Sequence, residues 1–490
     1  MKKRLAGARR KRIGAIVCCL LALLINAIAG GVTNPATISA QTAGSSSQRR
    51  LAREILKELI EIDTTLRFGS AKAAEAVAAR LRTAGFSATD IQLLAPAEHP
   101  IHGNLVARLR GKGDAKPVLF LAHLDVVEAR KEDWSEGLDP FKFTERDGFF
   151  YGRGTVDIKG EAASLVANLI RLRQEGFAPD RDIIVALTAD EEEGDQDGVR
   201  WLMRNHRDLM DVALAINTDT GGGQIEKGRR MRYAVQTSEK VSINFRLEVK
   251  NRGGHSSLPT KDNAIYRLAE GLARLAKFDF PAKLNETTRT FFEKMSAQEK
   301  GRIAADMKAV AQTPPRPAAV ARLSSAAPLY NSLMRTTCVA TLVEAGHSAY
   351  ALPQLARATV NCRMLPEDSA EEVRRTLVRI LADDQITVTP EDSPQPSPAA
   401  PLAPEVMRPV ERLVAEMWPG VPVVPMMETG ATDCVYLRQA GIPTFGVAGV
   451  FYEMDPYRAH GKDERIGVEA FHEGVEFMYR LMKALTSGKQ

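Results

Sequence analysis

Several acidic and imidazole side chains follow directly on apolar runs, where they could act together. His123 and Asp125 end "LFLAHLDVV", Asp157 sits in "GRGTVDIKG", and Glu191, Glu192 and Glu193 are consecutive in "TADEEEGD". Asp219 lies in "NTDTGGG" and His460 in "RAHGKDERI". A lone histidine or aspartate in such a place is a cap or a satisfied polar group, and three adjacent glutamates by themselves read as a solvated loop. Repeated at the ends of successive apolar runs, imidazole with carboxylate is a donor set for zinc or another divalent metal, while the cysteines fall too far away for a thiolate site. Two histidines and three carboxylates exceed the complement of one zinc and suit two, with a carboxylate between them. Such a pair, its ions ~3.5–4 Å apart, activates water and polarises a carbonyl.

The elements that must position these groups are legible in the apolar pattern. A helix is expected from near Leu51, with Leu51, Ile55, Leu59 and Ile62 on one face. Helical patterns then alternate with short continuous runs, "PVLFLA" (117–122), "DIIVAL" (182–187), "DVALAI" (211–216) and "PTFGVAGV" (443–450). Runs apolar on both faces and separated by helices indicate an α/β fold with a largely parallel sheet, whose sites collect outside the carboxyl ends of the strands. The texture changes at "VSINFRLEV" (241–249), which alternates strictly and so belongs to a sheet covered on one face, as does "ATVNCRML" (358–365). With helical patterns at 262–277 and 369–383, these describe an inserted two-layer α+β domain. A polar helical stretch from about Asn285 to Gln312, ending in "TPPRP", reads as an insertion within it, and "PEDSPQPSPAAPLAP" (390–404) as the linker back. The expected division is catalytic domain 49–238, inserted domain 239–397 and catalytic domain 398–490.

A chain of 490 residues is too long for one ordinary core. Its net charge of +5 does not mark an anionic partner, since seven basic residues (Lys2, Lys3, Arg4, Arg9, Arg10, Lys11, Arg12) crowd the first dozen positions. They precede an uncharged run, Ile13 to Ala29, that ends in "AIA", the pattern of an export signal over residues 1–29, with about residue 43 as the outer alternative. Arg9 and Arg10 also permit a twin-arginine signal, and an uncleaved membrane anchor is the rival reading. Residues 34–48, rich in Ser, Thr, Ala and Gly, read as a flexible mature N-terminus. The mature protein is expected to be periplasmic or secreted. Cys18 and Cys19 leave with the signal, and the remaining Cys338, Cys362 and Cys434 are an odd, sparse set that argues against a disulfide scaffold. No basic and aromatic pattern points to nucleic acid.

The ordered motifs "HLDVV", "DPFKFTERDGFFYGRGTVDIKG", "TADEEEGD", "GGHSSLP", "ALPQLARATVNCRMLP", "GATD" and "HGKDERI" resemble the co-catalytic zinc exopeptidases and amidohydrolases. That family includes glutamate carboxypeptidase, acetylornithine deacetylase, succinyl-diaminopimelate desuccinylase, aminoacylase and carboxypeptidase S, and the later motifs look most like the last. The resemblance covers nearly everything after Leu51. It implies an α/β/α catalytic domain with a dimerisation lid and two Zn2+ per subunit, with Co2+ or Mn2+ as substitutes. By resemblance Asp157 bridges the metals, His123 and Asp219 hold one, and Glu192 and His460 hold the other. Asp125 accepts the other ring N–H of His123, Glu191 is the general base, and Glu193 faces water.

His255 in "GGHSSLP" matches an oxyanion donor that reaches the partner subunit's site, Arg363 matches the arginine that binds a substrate carboxylate, and Gly430 with Ala431 matches a substrate-binding loop. Asp219 departs from the usual glutamate, and Tyr350 stands where an asparagine is usual, so substrate preference does not carry over from better known members. The remaining histidines, His99, His102, His206, His347 and His472, have no partner pattern and read as structural or exposed. The expected activity is hydrolysis of an amide next to a free carboxylate, on a peptide or an N-acyl amino acid, by a homodimer. The rival from another class is a metal-dependent peptide-binding module without catalysis. A membrane enters only if the N-terminal segment stays uncleaved.

Overall fold

The apolar runs ahead of the candidate ligands become neighbouring strands. In a computed structural model that describes residues 35–194, 197–454 and 457–488, Arg181–Thr188, Ala115–His123, Leu214–Asn217 and Thr444–Gly446 lie side by side and parallel. Alternation shows why the runs are continuous. Val118, Phe120, Ile183 and Val185 enter a core shared with Leu165 and Leu169 of the helix Lys159–Gln174 and Phe477 and Leu481 of Val468–Thr486, whereas Leu119, Leu121, Ile184 and Ala186 enter a second core with Val199 and Leu202. Both faces are covered, so every side chain is apolar. Six further strands, partly antiparallel, complete a ten-stranded sheet. Register then fixes chemistry: His123 pairs with Thr188 and Leu121 with Asn217, which brings the loops after all three strands to one end.

Between the main-sheet strands Arg229–Glu239 and Val423–Glu428 the chain builds a separate four-stranded antiparallel sheet. Val241, Ile243, Phe245, Leu247 and Val249 face its core, against the helices Ala264–Leu275 and Ala370–Leu381. Asn263 and Ser369 cap those helices through the backbone N–H groups of Ile265 and Glu372. The helical stretch after Asn285 is longer and less polar in effect than its composition suggests. It forms Glu286–Gln298, Gly301–Val310, Pro317–Ala326 and Pro328–Met334, whose Phe291, Phe292 and Met307 pack with Val424 and Met427 of the main sheet. "TPPRP" interrupts this group without ending it, because Pro317 occupies a first-turn position where its missing N–H costs nothing. The 390–404 segment is pinned as well, with Ser397 donating to Glu239 and Ala400 N–H to the Thr237 carbonyl.

Other sequence readings are corrected. Cys338 and Cys362 form a disulfide, since they face each other directly across two antiparallel strands with Cα atoms 4.1 Å apart, while Cys434 is buried and free. The odd count misled because it included that buried thiol. The first helix runs Pro35–Glu61, starting at a proline instead of near Leu51, so the segment read as a flexible N-terminus is helical over its described part. The chain divides into two compact units, Met1–Arg50 and Leu51–Gln490, and in the first only residues 35–50 are described. Residues 1–29, read as an export signal and containing Cys18 and Cys19, lie outside the described residues. Among those described, no helix is long and apolar enough to cross a membrane.

Phe120, fully buried at the centre of the His123 strand, tests this architecture. Phe120→Ala is expected to cost about 3–5 kcal/mol in denaturant unfolding.

Candidate metal centre and active site

Asp157 opens the helix that follows a glycine-rich turn, and its two carboxylate oxygens point to different histidines. Oδ1 lies 3.2 Å from His123 Nε2 and Oδ2 lies 3.1 Å from His460 Nε2. His460 Nε2 also stands 2.8 Å from Glu192 Oε1, and His123 Nε2 stands 3.6 Å from Asp219 Oδ1. The donor atoms of His123, Asp157 and Glu192 lie within 4.8 Å of one another, as do those of His123, Glu191 and Asp219. Strand ends deliver His123, the Glu191–Glu192 loop and Asp219, whereas His460 comes from a loop with φ of +59° ahead of the last helix.

These residues fit a divalent metal pair. His123 Nε2 is buried without a conventional hydrogen bond and faces carboxylate oxygens on two sides, the arrangement of a ligand atom more than of a donor. Carboxylates outnumber imidazoles, and the electrostatics show it. Burial works against a charge on His123, yet Asp157 and Asp219 raise its pKa well above the usual value. Asp157 and Glu192 push His460 up to about 10. Burial would raise Asp157, but His123 and His460 hold it well below the carboxylate range. Burial first, then Asp219, pushes Glu191 well up, and burial raises Glu192 against the pull of His460. The pocket thus draws protons onto the lone pairs that a bound cation would take instead, so binding of a metal there would release protons.

The ring of His123 is oriented differently from expectation. Its Nδ1 meets the backbone carbonyl of Asp125 at 3.1 Å, and the Asp125 carboxylate is farther, at 3.6 Å. That carboxylate instead accepts the Glu192 N–H at 3.0 Å and so orders the glutamate loop. The Glu191 side chain makes no hydrogen bond or ion pair among the described residues and lines a cavity of about 190 Å³ with Lys240, Ser242, Thr432, Asp433 and Tyr436. Ala431 borders the same cavity, and neighbouring Gly430 has open space where a Cβ would sit.

The other sequence candidates lie on the second sheet and its ribbon. His255 pairs with Ala351 in a two-stranded ribbon, is exposed, and engages Ser257 through Nδ1. Tyr350 is 79% exposed and accepts from Ser256 through its carbonyl, which keeps it beside His255. Arg363 pairs with Ser242 and Thr337 across the strands. Among the described residues no hydrogen bond or ion pair joins His255, Tyr350 or Arg363 to the metal ligands.

Sequence reading passed over several supports. His102 is buried and its Nδ1 lies 2.6 Å from Asp190 Oδ1, so it is a partnered histidine that anchors the start of the glutamate loop. Asp190 takes φ of +57°, and the carboxylate folds under Gly194, where an added Cβ would sit 2.9 Å from Asp190 Oδ2. Asp433 in "GATD" is buried close enough to Asp197 and Glu191 for their charges, after burial, to raise its pKa. Proximity of Asp433 to the metal loop was signalled only by the "GATD" motif itself.

A model of the family "Peptidase family M20/M25/M40" matches residues 119–484, most of the chain. The chain belongs to that family. It is therefore a hydrolase of the M20 metallopeptidase and amidohydrolase group, and the α/β fold with its mostly parallel sheet is the one M20 structures share. The chain is 29% identical over 377 residues, 75% of this chain and 72% of the relative, to the N-fatty-acyl-amino acid synthase/hydrolase PM20D1 of Xenopus tropicalis. It is 28% identical over 392 residues, 78% of this chain and 74% of the relative, to a probable carboxypeptidase S-like 2 of Dictyostelium discoideum. Among solved structures, the M20 metallo-carboxypeptidase Sso-CP2 of Sulfolobus solfataricus superposes with a TM-score of 0.64 at 17% identity, over 89% of this chain and 99% of that one. A Bacillus subtilis dinuclear metal-binding M20 peptidase superposes at 0.58 and 14% identity, over 90% and 99%.

Because Asp157 faces both histidines, Asp157→Ala is expected to lower the metal content of the purified M20 protein more than Asp219→Ala does, as read by elemental analysis per chain.

Proposed function

We propose that the protein is an exported, dinuclear zinc-dependent amidohydrolase that releases an amino acid from an N-acyl amino acid with an apolar acyl group. The observation that carries the reading is Asp157 held between two histidines, with the Glu191 carboxylate beside His123 and Asp219 and otherwise unengaged. His123, Asp157, Glu192, Asp219 and His460 would hold two Zn2+, which supply a lowered water pKa and polarisation of the scissile carbonyl. Glu191 takes a proton from the attacking water and passes it to the amide nitrogen as the C–N bond breaks, leaving a carboxylate and a free amine. Burial and neighbouring charge raise its proton affinity, as a group that must both accept and return a proton requires.

Leu66, Phe68 and Ile101 are exposed apolar side chains, and Leu66 approaches Gly194, two residues from Glu192. Such side chains suit an apolar acyl group, in keeping with the N-fatty-acyl-amino acid activity in the name of the frog relative. Arg363 would take the substrate carboxylate through its forked donors. The Dictyostelium relative's name favours a second reading, a carboxypeptidase of the same mechanism, in which the acyl part is a peptide.

We place residues 239–397 as a dimerisation lid. Its edge strand Thr337–Ala345 exposes Val339, Leu342 and Val343 at 60–66%, a surface that pairing with a second copy would cover, and His255 would donate to the carbonyl oxygen across that dimer. The Cys338–Cys362 disulfide fits a protein exported to an oxidising compartment.

Glu191→Gln is expected to lower kcat by about 10²–10⁴-fold with metal content retained. The substrates are a panel of N-acyl amino acids and dipeptides. A metallated wild-type protein that turns over none of the panel would support the binding-module reading instead. Mixing inactive His255→Ala and Glu191→Gln chains should restore activity in mixed dimers, and no recovery counts against the shared site.

A further inference from the structure

We infer that Glu464 is the positioning residue that locks the two metal-binding loops "GRGTVDIKG" and "HGKDERI" together. The inference rests on the two-metal reading above. Glu464 is fully buried four positions after His460, and it is not among the groups placed in the reaction. Its Oε1 accepts three backbone N–H groups of the Asp157 turn, from Gly154 at 3.1 Å, Val156 at 2.7 Å and Asp157 itself at 3.1 Å. Its Oε2 accepts from Arg153 Nη1 at 2.6 Å, and its backbone carbonyl accepts the Gly152 N–H at 3.1 Å. Successive N–H groups turned to one anion form a concave nest, and here the anion is a side chain of the loop that carries His460.

The residue next to Glu464 is tied as well. Asp463, at φ of +55°, accepts from the Ser135 N–H at 2.9 Å and from its hydroxyl at 2.6 Å. His460 is therefore carried by a short segment fixed three and four residues later at two consecutive positions, Asp463 and Glu464, while the backbone of Asp157 hangs from Glu464 directly. Gly154 belongs to the same device: at φ of +92° an added Cβ would lie 2.9 Å from the Lys159 side chain, so the tight turn that aligns the three N–H groups needs glycine.

A buried ion pair by itself contributes little net stability, because desolvation offsets the attraction. What this one adds is orientation, and the orientation is unequal between the two positions. The Glu192–His460 position takes two of its side chains, Asp157 and His460, from loops held by Glu464. The His123–Asp219 position takes only Asp157 from them.

The test is calorimetric titration of Zn2+ into metal-stripped protein, with the melting temperature of the metal-free chain measured alongside. Glu464→Gln keeps the shape but sets an amide N–H₂ against either Arg153 or the backbone nest. The double variant Arg153→Met/Glu464→Leu removes the pair together and leaves no buried unpaired charge, but it strips the acceptor from three backbone N–H groups and is expected to melt below the wild type without metal. Wild type should bind two equivalents, and both variants should weaken one of them by about 10–100-fold and the other clearly less. Two equivalents bound as in wild type by either folded variant would overturn the inference, as would equal weakening of both. If the double variant does not fold, Glu464→Gln carries the same readings. A wild type that binds a single equivalent would refute the two-metal reading instead, and Glu464 would then be judged by whether that one affinity falls.

Discussion

Asp157 meets one histidine with each carboxylate oxygen, and the buried acids around it are tolerable only if positive charge is placed among them. Asp125, Glu191, Glu192 and Asp219 crowd the same end of the sheet, and burial alone would neutralise several of them. The two imidazoles compensate in part, with pKa values driven upward by their acidic neighbours. Two divalent cations would compensate fully, and the lone pairs now drawn toward protons are those a metal would use. The strand register, the glycine-rich turn and the left-handed His460 loop all serve to hold these charges at ligand spacing.

The chemistry is distributed unevenly between the two sheets. The parallel sheet carries the metal ligands and Glu191, whereas Arg363, His255 and Tyr350 lie on the antiparallel sheet and its ribbon. If those three residues contact substrate as proposed, the substrate site and the metal site are built on separate sheets.

Local pattern made much of this legible. Continuous apolar runs located the parallel strands to within a few residues, strict alternation over 241–249 gave the antiparallel strand and its buried face, and the carboxyl-end rule singled out His123, Glu191, Glu192 and Asp219. Contacts between distant residues left no such trace. His102 and Asp190 are 88 positions apart, and Arg153 and Glu464 are 311 apart, so neither pair has a periodicity or spacing to reveal it. Asp125 was placed on the right side of His123 but with the wrong atom, because which of its oxygens meets the ring depends on the loop it also holds. The disulfide was hidden by parity, since one of the three remaining cysteines is a buried apolar-like side chain.

The most direct test of the central claim is the metal-to-chain ratio of the purified protein measured together with chelator-dependent hydrolysis of an N-acyl amino acid. The account predicts two divalent ions per chain, loss of hydrolysis as they are removed, and recovery when Zn2+ is returned. Hydrolysis that persists in metal-free protein, or activity that saturates with one ion per chain, would contradict it.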